Sequence, residues 1–321
     1  IQVSGGFSEF WRENGKVVSS FLIAIGLCIV GAILVPGFLE IGHLLLMIKA
    51  AAFLGIIALA QVTVILSGGG GIDISVGTIA SIGVLFSAVI MKGRAEYILP
   101  AIAAVGALGL ILGLVNGYLI AYLKIHPLIM TMAMTSVATG IIIIYGQGRK
   151  IIGSPAPMIE DLANGRIFGF PVVILLWIVL VVMADFILLR TRTGQKLLSV
   201  GTNDVAATLS GVNVNFFRLM VYGVSGLVSA LFGLLLLGYV HQAFWDIGNS
   251  YMFPSVIVCT IGGVLITGGS GRYLGSMGGA LVFTFLQSLL VSLRMEEAFK
   301  QALFGLILII LLIAYSREGR R

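Results

Sequence analysis

The chain has too few charged residues for a water-soluble protein of its length. Only 10% of its 321 residues are charged, whereas 59% are hydrophobic, and the mean hydropathy is +1.13. A soluble domain of this size could not bury so much apolar surface. The composition therefore predicts an all-α, polytopic membrane protein.

Cysteine and proline are also scarce. The two cysteines, Cys28 and Cys259, both lie in apolar segments, which argues against a disulfide framework or a metal site. Seven prolines stand against 43 glycines. Abundant glycine with little proline suits closely packed membrane helices better than a disordered chain.

Enzyme signatures are missing from the sequence. It has no G-x-x-x-x-G-K-[ST] loop, no H-E-x-x-H motif and no G-x-S-x-G elbow. Leu66-Ser-Gly-Gly69 spells the start of the ABC ATPase signature, but that signature works only beside a phosphate-binding loop. We therefore expect no catalytic residue, no metal site and no cofactor bound by this chain. The net charge of +6 comes from scattered cations, so nucleic acid is not an expected partner.

Long apolar runs fill the chain instead. A helix needs about 20 apolar residues to cross the bilayer core. The sequence predicts one transmembrane domain over 1–321, in which the third and eighth spans are short. The first run is too long for a cleavable signal, so we expect it to be retained. The ten predicted spans are 17–36, 44–66, 75–91, 97–122, 127–146, 170–189, 217–240, 252–267, 275–293 and 299–315.

Two long polar connections remain, at 147–169 and 190–216. Ten spans place both termini on one side of the membrane. If that side is inside, eleven lysines and arginines lie inside and seven lie outside, which agrees with the positive-inside rule. We predict that both termini and 190–216 are cytoplasmic and that 147–169 is external.

The connection 190–216 has a helical, apolar centre. Asn203 or Asp204 can cap a short helix there. Four cations lie in or beside the connection: Arg190, Arg192, Lys196 and Arg218. Four apolar residues recur at helical spacing: Val205, Ala206, Leu209 and Val212. A basic, helical loop with an apolar stripe is suited to docking on a soluble partner.

Intramembrane acids are few. Asp73, with Ser75, either shapes the pathway or its inner gate, or caps the helix that begins near Ser75. Asp185 either takes part in a proton relay or pairs locally with Arg190 or Arg192. We expect Lys49 to extend its amine toward the membrane surface.

Neutral polar residues within or near the spans could line a solute route, or could hydrogen-bond between helices away from any route. His126 is expected to be a helix-end residue. The aromatics Phe244 and Trp245 are expected to act as interface anchors. Neutral polar and aromatic lining favours an uncharged, polyhydroxylated solute over an ion. The candidate route residues are Gln61, Asn116, Thr131, Thr135 and Gln287.

One internal similarity stands out. Leu66-Ser-Gly-Gly-Gly-Gly-Ile-Asp-Ile74 is similar to Ile266-Thr-Gly-Gly-Ser-Gly-Arg-Tyr-Leu274, and each segment links two predicted spans on the cytoplasmic side. Transporters are often built from repeated halves with interrupted helices near the pathway.

Several ordered motifs between residues 50 and 315 resemble the permease subunits of bacterial ABC importers for monosaccharides, the ribose-type family. The matching segments are Ser67 to Gly77, Gly113-Leu-Val-Asn-Gly117, Pro127 to Thr131, Thr191 to Gln195, Gly201-Thr-Asn203, Ala206-Ala207, Ser210-Gly-Val212, Tyr222 to Gly226, Gly262-Gly263, Gly268 to Gly271 and Leu274-Gly275. The sequence departs from the pattern expected of this family in two places, and both bear on which solute is carried. An acidic residue often precedes Gly262-Gly263 in the family, but 252–259 has none here, and 68–71 has a fourth glycine, one more than usual.

The resemblance implies a non-catalytic subunit of the bacterial inner membrane that pairs with a second permease copy or a related permease. A separate ATPase would bind ATP and Mg, a periplasmic solute-binding protein would deliver solute, and membrane lipid would surround the spans. The expected ATPase contacts are Gly201, Asn203, Ala206, Ala207, Leu209, Ser210 and Gly211. The alternative is a secondary transporter or channel, for which Asp73 and Asp185 are the candidate ion-coupling residues.

Overall fold

The computed structural model of the protein describes residues 5–146, 153–243 and 245–318, most of which are helical. Besides α-helices, these ranges contain two short 3-10 helices, Ala95–Tyr97 and Ile247–Tyr251. They also contain one antiparallel hairpin, formed by β1 (Arg166–Ile167) and β2 (Phe170–Pro171). The α-helices are α1 (Gly5–Leu34), α2 (Ile41–Leu66), α3 (Val76–Met91), α4 (Ile98–Ala121), α5 (Pro127–Gly146), α6 (Pro157–Asn164), α7 (Val172–Arg190), α8 (Arg192–Thr202), α9 (Asp204–Leu209), α10 (Val214–Val240), α11 (Met252–Ile261), α12 (Tyr273–Ser292) and α13 (Glu297–Glu318).

Each of the ten predicted spans overlaps one of these helices, so the all-α, polytopic class is confirmed. Seven helices in the described ranges are long and apolar enough to cross a membrane. As predicted, α3 and α11 are shorter, with 16 and 10 residues. The eighth span was predicted too long, since α11 ends at Ile261, where Gly262 and Gly263 turn the chain.

Both long polar connections contain folded elements that the sequence analysis missed. The connection 190–216 is mostly helical, because α8 precedes the expected short helix, α9. Thr191 starts α8 by accepting a hydrogen bond from the Gly194 amide at 3.2 Å. The described part of 147–169 holds α6 and the β1–β2 hairpin, whereas 147–152 lies outside the described residues.

Helix α10 packs against α2, α3 and α4. At three glycines its contacts with α4 are made backbone to backbone. A Cβ added at Gly117 would lie only 2.7 Å from the Leu219 carbonyl oxygen, and Gly113 and Gly226 leave even less room. On α3, Gly83 meets the backbone of α10 in the same way. Small residues at these crossings let membrane helices approach closely.

Two glycine-rich turns lie at the same face of the protein as 190–216, which we call the loop face. The first glycine loop, residues 67–75, has three successive glycines with positive φ, at 70°, 65° and 72° for Gly68, Gly69 and Gly70. The second glycine loop, residues 262–272, has four glycines with positive φ. These are the two segments that resemble each other in sequence, and both join apolar helices.

Candidate coupling and gating site

The two glycine loops meet each other and the end of α8 at the loop face. A Cβ added at Gly68 would lie 2.7 Å from the carbonyl oxygen of Gly201. The amide of Gly269 donates to the carbonyl oxygen of Leu66 at 3.1 Å. A Cβ at Gly201 would overlap the backbone of both Leu66 and Gly269. The end of α8 therefore rests directly on both glycine loops.

The first glycine loop is fastened by the buried carboxylate of Asp73. Its Oδ1 accepts from the Ser75 amide at 3.0 Å and from the Ser75 hydroxyl at 2.5 Å. Its Oδ2 accepts from the hydroxyl of Ser225, on α10, at 2.8 Å. Ser75 is the N-cap residue of α3. Asp73 thus organises the start of α3 and also ties the loop to α10, an attachment the sequence analysis missed.

Three other predicted route residues hold the same loop. With its amide oriented to satisfy both bonds, Gln61 donates to the Asp73 carbonyl at 3.0 Å and accepts from the Asp73 amide at 3.2 Å. Asn116 donates to the Ser75 hydroxyl at 3.0 Å. The Thr131 hydroxyl lies 3.3 Å from the carbonyl oxygen of Ile72, and its single proton is shared between this oxygen and that of Pro127 at 3.0 Å. The structure therefore brings Gln61, Asp73, Ser75, Asn116 and Thr131 together in one cluster.

This polar cluster, defined by those five residues and Ser225, is closed to solvent within the single chain. Each of its side chains has 0% exposure. The side chains hydrogen-bond to one another and to the loop backbone, which is the alternative of bonds between helices, but Oδ1 of Asn116 is buried without a partner. Of the remaining predicted residues, Thr135 is half-buried and Gln287 is exposed on α12, and neither belongs to the cluster.

Helix α9 is short and projects apolar side chains into solvent. Asn203 caps it, since its Oδ1 accepts from the Ala206 amide at 2.9 Å. Val205 is 67% exposed and Leu209 is 85% exposed. An exposed pair of large apolar side chains on a helix is a feature of docking surfaces. Asn203, Ala206, Leu209, Ser210 and Gly211 are all exposed, as a contact surface requires.

Two of the predicted docking residues face inward instead. Ala207 is 4% exposed and packs with Val200 and Val214. Gly201 is covered on one side by the glycine loops, as described above. Val212, placed in the apolar stripe by helical spacing, is half-buried against the same small cluster. The helix ends at Leu209, so Val212 no longer follows the helical repeat.

The predicted local partner of Asp185 is wrong. Its Oδ2 lies 2.6 Å from Nη2 of Arg272, far along the chain, and not against Arg190 or Arg192. Its Oδ1 accepts from the amide of Tyr273 at 3.1 Å. Since Tyr273 is the first residue of α12, Asp185 on α7 satisfies an amide at a helix N-terminus.

The Lys49 amine, which we predicted to extend toward the membrane surface, is bound by the end of α6. Its Nζ donates to Oδ1 of Asn164, the last residue of α6, at 2.6 Å. It also lies 4.8 Å from the centre of the Tyr239 ring. Asn164 in turn donates to the carbonyl of Gly238 at 2.8 Å. Lys49 therefore fastens α6 to α2 and α10 on the face opposite the loop face.

Two smaller expectations concern residues at helix ends. The carbonyl of His126 accepts from the Met130 amide at 3.1 Å, so His126 does precede α5 as a helix-end residue. Trp245 is 57% exposed, as an interface anchor would be, whereas Phe244 lies outside the described residues.

A cavity of about 580 Å³ opens between α2, α7 and α10. Most of the side chains that line it are aliphatic or aromatic. Two of its hydroxyls, those of Thr63 and Tyr273, bond to each other at 2.8 Å. Polyhydroxylated solutes need many polar partners, so this cavity is unsuited to them.

Known proteins resemble this chain along nearly its whole length. A family model described as "Branched-chain amino acid transport system / permease component" matches residues 43–312. The ribose import permease protein RbsC of Bacillus subtilis (strain 168) is 31% identical over 314 residues, covering 98% of this chain and 95% of its own. RbsC of Haemophilus influenzae is 29% identical over 307 residues, covering 94% of each chain.

A third relative is named for a different solute. The autoinducer 2 import system permease protein LsrD of Enterobacter sp. (strain 638) is 30% identical over 323 residues, covering 97% of this chain and 95% of its own. No solved structure matches this chain.

Proposed function

Because this chain belongs to the family of branched-chain amino acid transport system permease components, we propose that it is the transmembrane subunit of an ATP-driven importer of a sugar or sugar-like solute. Relatives named for ribose and autoinducer 2 support this solute class. In this proposal the chain forms the pathway across the bacterial inner membrane, with both termini and the loop face in the cytoplasm. The cation distribution supports that orientation.

The observation that carries the proposal is the exposure of helix α9. Leu209 and Val205 are exposed at a face that would otherwise be polar and basic. An apolar helix face of this kind fits a groove on a soluble subunit. The subunit we assign to it is an ATPase that binds ATP and Mg, while this chain binds neither.

The glycine contacts provide a path for movement from that docking helix to the membrane helices. α9 follows α8, whose Gly201 touches both glycine loops. The first glycine loop carries Asp73 and ends at the start of α3. Displacement of α9 by the ATPase would therefore move both loops together, because their backbones leave no room for independent shifts.

We assign the gate to the first glycine loop and its polar cluster. In this assignment Gln61, Asp73, Ser75, Asn116 and Thr131 fix the loop in one conformation, and a second conformation would open the inner end of the pathway. The exposed Gln287 on α12 is proposed to line the pathway against a second permease copy. A periplasmic solute-binding protein would deliver solute at the opposite face.

The test is capture of the ATPase by the full chain purified in mild detergent. Wild type should retain an ATPase in equal or half stoichiometry, and a second permease chain would identify a heterodimer. Leu209→Arg should lose at least nine-tenths of the captured ATPase, as expected when a charge replaces an apolar anchor. Phe168→Arg is the matched control, because Phe168 is 99% exposed in the β1–β2 turn, on the opposite face.

Two results would reject the proposal. A wild-type chain that purifies folded and without an ATPase would favour a secondary transporter or channel. Unchanged capture by Leu209→Arg would place the ATPase contact elsewhere. The solute class is tested separately, by uptake of labelled ribose in competition with other sugars and with leucine.

A further inference from the structure

A second, smaller cavity of about 240 Å³ lies at the loop face, beside the first glycine loop. Its wall is formed by the glycine loop, by the turn between α4 and α5, and by the start of α10. Three basic side chains line it, those of Lys124, His126 and Arg218. Within the described residues, its lining includes no acidic side chain.

Two buried polar atoms on this wall have no hydrogen-bond partner: the hydroxyl oxygen of Tyr222 and Nε of Arg218. Tyr222 is only 1% exposed. The two residues are one helical turn apart on α10, so their side chains share a face. Both groups can donate a hydrogen bond. Buried donors without acceptors are uncommon in folded proteins, and a bound ligand would satisfy them.

The glycine loop supplies a third donor at the same place. Gly69 is exposed, and its amide donates to no acceptor among the described residues. A Cβ added at Gly69 would lie 2.8 Å from Nη2 of Arg218, so the loop backbone lies directly against the guanidinium. Successive amides in turns with positive φ form anion-binding concavities.

Two acids lie near the cavity, but neither of them lines it. Asp204 pairs with Nη2 of Arg218 at 3.3 Å, and its side chain is half exposed outside the cavity lining. The charge of Asp73 interacts with the Tyr222 hydroxyl without a hydrogen bond between them, since the Asp73 oxygens accept from Ser75 and Ser225. Lys124 donates to the neutral amide oxygen of Asn215 at 2.8 Å, which leaves its charge uncompensated.

From these donors we propose that the cavity binds a phosphate group. Arg218 and Lys124 would supply charged donors, and Tyr222 and Gly69 would supply neutral ones. Several converging donors match an anion with three or more acceptor oxygens. The group can belong to a free phosphate or phosphorylated solute, or to a phospholipid headgroup at the same face.

Occupancy of the cavity has a consequence for the docking helix, and this consequence rests on the proposed function. Arg218 is shared between the cavity and Asp204, the first residue of α9. A phosphate on Arg218 would compete with Asp204 for the guanidinium. Phosphate binding would therefore loosen one of the attachments of α9.

The binding test measures the unfolding midpoint of the purified full chain, with any subunits that accompany it, in sodium phosphate and in sodium chloride at equal ionic strength. Phosphate should raise the midpoint with saturation at one site. Tyr222→Phe should leave the midpoint in chloride unchanged or higher, because the lost hydroxyl has no partner. Its Kd for phosphate should rise about tenfold or more.

The control variant is Tyr118→Phe, since Tyr118 is 53% exposed and lies outside the cavity lining. It should bind phosphate as wild type does. A structural role for the Tyr222 hydroxyl would instead lower the midpoint in chloride and leave phosphate affinity unchanged. That result would overturn the proposal, as would a phosphate response no larger than the chloride response.

The source of the phosphate is separated in nanodiscs of phosphatidylcholine with or without phosphatidylglycerol. A free-phosphate site responds to added phosphate equally in both. A headgroup site loses that response when phosphatidylglycerol is present. If a captured ATPase abolishes phosphate binding, one of its own groups fills the cavity, and the proposal is wrong for the assembled protein. ATPase capture itself is measured separately, so the two proposals fail independently.

Discussion

Asp185 near the end of α7 and Arg272 just before α12 are joined through Oδ2 and Nη2 at 2.6 Å. The Asp185 side chain is 6% exposed and that of Arg272 is 27% exposed. The pair connects two helices separated by 87 positions in sequence, and it holds the second glycine loop at its end. A buried acid with such a partner is a structural element of the loop face.

Asp185→Asn should therefore destabilise the protein. Breaking a buried pair leaves an uncompensated charge, and we expect a loss of about 2–3 kcal/mol, below the fully buried limit because Arg272 is partly solvated. Thermal unfolding in detergent measures the change. Glu96→Gln is the control, since the Arg94–Glu96 pair is exposed and should contribute little. Equal midpoints for both variants would contradict the prediction.

Gly201→Ala should uncouple transport from ATP hydrolysis while leaving the ATPase bound. The added methyl group would push α8 away from Leu66 and Gly269, whereas Leu209 on α9 remains available. We expect uptake to fall at least tenfold in proteoliposomes, with ATPase capture unchanged. Gly140→Ala is the control, because a Cβ at Gly140 meets no atom within 4 Å. Normal uptake by Gly201→Ala would contradict the prediction, because it would show that the contact of α8 with the two glycine loops is not needed for transport.

Asp73→Ala should lower stability more than it alters solute preference. The substitution removes the acceptor for the Ser75 amide and for two serine hydroxyls. Leaving buried donors unpaired costs about 1–3 kcal/mol each, so the unfolding midpoint should fall clearly. Asp73→Asn keeps an acceptor oxygen and should be milder. A stable Asp73→Ala protein with a changed pattern of competing sugars would reverse this assignment.

Lys49→Met should release α6 on the face opposite the loop face. The variant keeps the aliphatic stem but loses the 2.6 Å bond to Asn164. Amide exchange within 157–164 should accelerate, while exchange in α2 stays slow. Lys124→Met breaks a similar lysine–asparagine bond, to Asn215, at the loop face, and serves as the control. Unchanged exchange in α6 would mean that its contacts with α10 suffice.

The sequence could predict the helices because hydrophobic length alone decides what can cross a bilayer. It could also predict α9, since Asn203 and the apolar spacing are local signals. It missed α8 and α6, whose short apolar faces are interrupted by charges and polar residues. The sequence could not predict contacts between residues far apart in the chain. The pairing of Asp185 with Arg272, and not with Arg190, depends on how α7 and α12 pack.

The polar cluster was found in part. Gln61, Asp73, Ser75, Asn116 and Thr131 stand out as isolated polar residues in apolar runs, and the structure gathers them. Ser225 was not selected because small hydroxyls are common in membrane helices and can bond to their own backbone. Gln287 carried the same kind of signal as Gln61, yet it faces outward. A single sequence does not distinguish the two faces of a helix that is apolar all round.

The glycine contacts between α10 and its neighbours limit which parts of the protein can move. α4 and α10 meet through backbone atoms at Gly113 and Gly226, and α3 meets α10 at Gly83, with no side chains between them to change rotamer. These three helices must therefore shift as one rigid body. Any second conformation of this protein therefore has to differ at the glycine loops and at interfaces lined by flexible side chains.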